Sequence, residues 1–135
     1  MAKNERKTEN IVRDELKKHG FDPTYNIKVE EQKSDIEDVK ALMKSASNSG
    51  GTGGGSPEFI ISSPSSPDFL LIIECKADVK DHISPVVTDI LNGTAFIETD
   101  DAKAKRTKRC AVDGILHYAK SLSKKFNVIS IAISG

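Results

Sequence analysis

The run Phe69-Leu70-Leu71-Ile72-Ile73 ends in Glu74-Cys75-Lys76, and this stretch limits the fold of the chain more than any other. Five consecutive apolar residues behind a Ser/Pro segment read as a buried strand. Side chains alternate along a strand, so Glu74 and Lys76 point to one face and Cys75 to the other. Two charged groups at the end of a buried strand are costly unless a metal, a substrate or each other satisfies them. For a bare Glu-x-Lys, a salt bridge at a strand end is the ordinary reading. The preceding segment changes the balance. Pro57-Glu58-Phe59 opens a second strand, Glu58 to Ser62, and Ser63-Pro64-Ser65-Ser66-Pro67 joins it to Asp68–Ala77 as a hairpin. With the turn centred near Ser65, Glu58 lies opposite about Ile72. That is within one or two residues of Glu74, so the two carboxylates can approach across the ladder.

Around this hairpin the spacing predicts alternating helices and strands. Residues 4–19 read as an amphipathic helix with Ile11, Val12 and Leu16 as its stripe and Gly20 as its stop; Glu9 sits on the inward side of that stripe. Its plain reading is a solvated carboxylate favoured by the helix N-terminus. Tyr25 to Glu31 alternates as a half-buried strand. Ser34 is placed to cap a second helix that runs to about Ser45. The Gly/Ser segment 45–56 reads as a flexible loop. It holds no G-x-x-x-x-G-K-[ST], so it is not a phosphate cradle. Residues 79–106 are the least legible and read as a variable insertion, with a helix-compatible pattern over 83–96 broken at Gly93. The basic cluster Lys103, Lys105, Arg106, Lys108 and Arg109 reads equally as a solvated loop with a helix start and as a phosphate contact. A helix from about Lys108 to Lys125 carries Ala111, Ile115, Tyr118, Leu122 and Phe126 on one face. It leads into a last strand over Phe126–Ile133.

The 135 residues suffice for one domain, 1–135. The 20 basic and 20 acidic side chains cancel, which argues against a purely electrostatic nucleic-acid binder but permits a local basic patch. Cys75 and Cys110 fit neither a zinc spacing nor a disulfide framework, and Cys75 reads as a small core residue. Without a secretory leader pattern or an apolar run of spanning length, the expected setting is the cytoplasm, with no membrane partner. A buried strand as the last element suggests a fragment or the first domain of a longer chain.

The predicted order is helix, strand, inserted helix and glycine loop, strand, strand, helix, strand. With Glu9, Pro57-Glu58 and Glu74-x-Lys76 placed on it, the chain resembles the PD-(D/E)XK nuclease superfamily. More narrowly, three segments resemble the N-terminal endonuclease domain of single-chain, type IIG-like restriction–modification enzymes. They are Gly55-Ser56-Pro57-Glu58-Phe59, Ile73-Glu74-Cys75-Lys76-Ala77-Asp78 and Ala111-Val112-Asp113-Gly114-Ile115-Leu116-His117-Tyr118-Ala119. The resemblance leaves out residues 79–106. It implies an α/β fold, a restriction-endonuclease-like αβββαβ core with a central mixed sheet flanked by helices.

It also implies Mg²⁺-dependent hydrolysis of DNA phosphodiester bonds, with Mn²⁺ as a substitute ion. Such chemistry needs a hard cation on oxygen ligands and an activated water. Glu58 and Glu74 are the implied metal ligands. Lys76 would orient the water and stabilise phosphate charge, and Glu9 would act through water or on a second cation. Tyr118 and Asp113 are accessory candidates; Tyr118 also reads as core packing, and Asp113 with His117 as a surface pair. The implied partners are double-stranded DNA, fused methyltransferase and target-recognition domains, and a transient second copy for cutting both strands. The chain departs from the family pattern in three ways. Glu58 stands where Asp is usual. Gly114 stands where Gln often precedes the later Tyr. The second Pro-acid pair, Pro67-Asp68, lies about 20 Å from Glu74 at 3.3 Å per residue, too far to share a metal. Two other readings stay open: an inactive nuclease-fold module for DNA or protein contact, and a repair or junction-resolving nuclease.

Overall fold

In the computed structural model, which describes residues 5–49, 55–94 and 97–135, the chain builds nine principal elements. They are α1 (Glu5–Lys18), β1 (Lys28–Glu31), α2 (Glu37–Ser49), β2 (Phe59–Ser62), β3 (Phe69–Lys76), α3 (Pro85–Leu91), α4 (Asp100–Arg109), α5 (Ala111–Leu122) and β4 (Asn127–Ser134). Two 3₁₀ turns, Pro23–Tyr25 and Val79–Asp81, join them. The strands form one mixed sheet in the order β1-β2-β3-β4, antiparallel at the first two junctions and parallel at the third. The α/β class and the mixed sheet are as the sequence predicts. Among the described residues no helix is long and apolar enough to cross a membrane.

Strand alternation divides the core in two. Ile60, Leu70 and Ile72 face α2 and α5, packing on Val39, Met43, Ala46, Ile115 and Leu122. Phe59, Ile61, Ile73 and Cys75 face the other way and pack on Val12 of α1. Cys75 is fully buried there, as read from the sequence. On β4, Ile129 and Ile131 stay substantially exposed along the sheet edge.

Several boundaries differ from expectation for local physical reasons. The pairing Phe59↔Ile73 and Ile61↔Leu71 centres the hairpin on Ser66 rather than Ser65. Tyr25 is exposed in the 3₁₀ turn that Asp22 caps through Thr24 N, so β1 starts only at Lys28. Ile11 is exposed and leaves the α1 stripe to Val12 and Leu16. Ser34 accepts from Ile36 N but donates to Glu30, closing a turn that delays α2 to Glu37. α2 then runs to Ser49, so residues 45–49 are helical rather than loop; 50–54 of the glycine segment lie outside the described residues, as do residue 4 and positions 95–96. Within 79–106, Ser84 caps α3 through Val87 N, and Gly93 follows it at a left-handed φ of 81°. The basic cluster forms α4, capped by Thr99.

The long last helix predicted from about Lys108 is two helices, α4 and α5, broken at extended Cys110. Gly114 explains how closely they meet. A Cβ there would lie 2.9 Å from the backbone carbonyl of Thr107 and 3.7 Å from Glu74 Oε2. The Gln of the family pattern therefore has no room at this position. Gly114→Ala is expected to destabilise the fold by about 1–3 kcal/mol, because the clashing atom is backbone and cannot swing away; the urea midpoint measures it.

Candidate functional site

The β2–β3 register carries the two acids together. One step beyond Phe59↔Ile73 sets Glu58 opposite Glu74, on the face that Ile60 and Ile72 share. Facing Cβ atoms in such a pair are about 5 Å apart. Lys76, two residues on, shares that face at the carboxyl end of β3. Glu74 is buried, while Glu58 and Lys76 are half-buried. The structure thus brings together Glu58, Glu74 and Lys76.

Gln32 joins them, a residue the sequence reading did not single out. It follows β1 at a left-handed φ of 61°; its backbone N–H donates to Glu58 O at 3.1 Å and its side-chain amide to Glu58 Oε2 at 2.9 Å. The Ser56 hydroxyl donates to the Gln32 carbonyl, so the approach to Glu58 is held from both sides. A short strand separated from its partner by a helix and a loop gives no readable register, which is why Gln32 was missed.

Tyr118, on α5, lies at the same place. Burial, then the charge of Glu74, then that of Glu58, push its phenol up to about 12. It packs against the α2/α5 core as well, so core packing and proximity to the acids both hold. A Cβ at Gly55 would collide with the Tyr118 hydroxyl, so this glycine lets the segment leading to Glu58 lie on the phenol.

The remaining candidates divide. α1 packs on the opposite face of the sheet, but Thr8 Oγ1 donates to Gly135 O at 2.8 Å, and Gly135 N donates to Lys76 O at 3.1 Å. Glu9 therefore stands at the end of the sheet that carries Lys76, on the face away from the acid pair. Asp68 lies at the other end of β3, where its carbonyl accepts from Asn127 N.

Asp113 is not in a surface pair with His117. It is buried and accepts from Ser84 N at 3.0 Å, Ser84 Oγ at 2.5 Å and Arg106 Nη1 at 2.9 Å. His117 Nε2 instead meets the carbonyl of Ala46 at 3.1 Å. Arg106 also binds Glu98 through Nε and Nη2, which holds the Glu98 carboxyl below the usual range. Within the basic cluster, Arg106 is thus a structural clamp and Lys105 pairs with Asp101 at 3.2 Å. Lys103, Lys108 and Arg109 are exposed.

Among the described residues no group of three or more His, Cys, Asp or Glu converges as a metal cluster. The donor set is a carboxylate pair with the Gln32 amide behind it. Mg²⁺ characteristically takes one or two protein carboxylates and fills its other positions with water and substrate phosphate, and the pair fits that demand. Comparison of the chain with protein-family models, curated proteins and solved structures finds no match.

Two outcomes follow. In a Tyr25→Phe background the phenolate absorbance of Tyr118 is expected to titrate near pH 12. Glu74→Gln should lower that midpoint, though not to the ordinary value of 10, because burial is the larger cause. Since folding holds this proton, stability should fall as pH rises from 10 towards 12. Separately, Arg106→Ala is expected to cost about 2–4 kcal/mol by leaving buried Asp113 short of a partner. Lys105→Ala, which breaks an exposed pair, should cost under about 0.5 kcal/mol. Chemical denaturation measures both.

Proposed function

We propose that the chain is a metal-dependent endonuclease domain that hydrolyses DNA phosphodiester bonds. The observation that carries this reading is the placement of Glu58 opposite Glu74 with Lys76 on the same face, at the end of a mixed sheet. The element order, with its inserted α2, accords with the restriction-endonuclease-like core that the sequence motifs imply. The three motif segments favour the cleavage domain of a restriction–modification enzyme, whose methyltransferase and recognition domains would choose the target. The neutral net charge suits such a division of labour.

Glu58 and Glu74 would hold Mg²⁺, which when bound offsets their mutual repulsion and polarises a phosphoryl oxygen. Gln32 fixes the rotamer of Glu58, and the close approach of Gly114 fixes α5 against Glu74. Lys76 orients the attacking water and stabilises charge developing on the phosphate. The Tyr118 phenol, kept protonated at neutral pH, is a hydrogen-bond donor beside two acceptors. Glu9, at the same end of the sheet but on its other face, would act only indirectly, through water or on a second cation. Lys103, Lys108 and Arg109 contact phosphates from α4, which Gly114 draws close to Glu74.

Calorimetry with Mg²⁺ and Mn²⁺, run beside a plasmid-nicking assay, tests the reading. Wild type should bind metal, and Glu58→Ala and Glu74→Ala should lose both binding and nicking. Lys76→Ala should keep metal binding while nicking falls by at least about 100-fold. A well-folded wild type that binds no metal, even with DNA present, would refute the proposal.

A further inference from the structure

Beside the acid pair lies a second group of side chains with the opposite chemistry. The 3₁₀ turn Val79–Asp81 follows β3 directly, and His82 N closes it on Val79 O at 3.2 Å. The His82 carbonyl accepts from Val112 N at 2.8 Å, which ties the turn to the first residues of α5. So fixed, the His82 ring meets Ser134 of β4, with Nδ1 2.9 Å from Ser134 Oγ. Ser134 is registered with Lys76 in the parallel pair β3/β4, just as Ala132 is with Glu74. Registered residues of parallel strands share a face, about 4.8 Å apart. His82 and Ser134 therefore stand on the face of Glu74 and Lys76, one strand further from Glu58. Val79, His82, Ala132, Ile133 and Ser134 line an open pocket at the β4 edge of the sheet.

We propose that His82, Ser134 and Lys76 form a subsite for a phosphodiester oxygen of the nucleic-acid strand addressed by the acid pair; it deepens the nuclease reading and rests on it. The donor inventory supports this. If Nδ1–H donates to Ser134, the serine hydroxyl hydrogen is available to an anion. If Nδ1 accepts from Ser134, the ring presents Nε2–H instead. Either tautomer supplies one donor on the face that Lys76 shares, at the register position opposite it. Asp78 is engaged within its own turn, where it accepts from Lys80 N at 3.1 Å. The site then has two halves, acceptors on β2/β3 for a cation and donors on β3/β4 for a phosphate.

The test uses the metal-free chain in chelator, titrated with dithymidine monophosphate, which carries one phosphodiester, and with thymidine as the uncharged control. The His82 ring resonances, followed by NMR, should move with the dinucleotide and stay still with thymidine. His82→Gln and Ser134→Ala should weaken binding about three- to tenfold, one hydrogen bond's worth. A silent His82 ring, or unchanged affinity in His82→Gln, overturns the subsite. The wild-type NMR result stands whether or not either variant folds. The two readings fail separately. Phosphodiester-dependent shifts at His82 without metal binding or nicking would keep the subsite and refute the nuclease. Nicking at the wild-type rate by His82→Gln, with a silent ring in wild type, would do the reverse.

Discussion

The two-residue period of β3 is the constraint from which the rest follows. Its even positions point to α2 and α5 and its odd positions to α1. Leu70 and Ile72 bury that even face, so the same alternation must deliver Glu74 and Lys76 to it. A slip of one residue would send Ile72 to the wrong core and turn both charged groups away from Glu58. The apolar half of the strand thereby fixes where the polar half points. Packing of the apolar positions thus sets the two carboxylates on one face, and the Gln32 amide adds a hydrogen bond to Glu58.

Much of this was legible because hairpins and alternation are local. The two strands, their antiparallel pairing and the proximity of Glu58 to Glu74 followed from residues 57–77, with the register off by one residue in the turn centre. The apolar face of α5 was readable for the same reason, since Ile115, Tyr118 and Leu122 repeat at helical spacing. What escaped depends on contacts distant in sequence. Gln32 reaches Glu58 across 26 positions, and His82 reaches Ser134 across 52. No pattern within a short window encodes either. The break at Cys110 has no local signature, because in sequence Gly114 is only a departure from a motif. Its physical meaning is the carbonyl of another helix lying where a side chain would be.

The basic cluster shows why residue type does not assign role. Five cations within seven residues looked interchangeable, yet the helical turn sorts them. Arg106 points inward to Glu98 and to buried Asp113, and that triad holds α3, α4 and α5 as one unit through Ser84. Its neighbours point outward. Charge counted along the sequence therefore overstates the charge available at the surface.

The range of each strand pairing also sets an order of assembly. β2 and β3 join through a six-residue connection, whereas β4 pairs with residues 58 positions earlier in the chain (Phe69↔Asn127). Loop-closure entropy favours the hairpin first and the parallel pair later. The acid pair is therefore defined as soon as the hairpin forms, and Ser134 comes to Lys76 only when the sheet is completed. Opening of the exposed β4 edge in the native protein would take the steps in reverse, removing Ser134 and the ring it holds while the carboxylates stay in register.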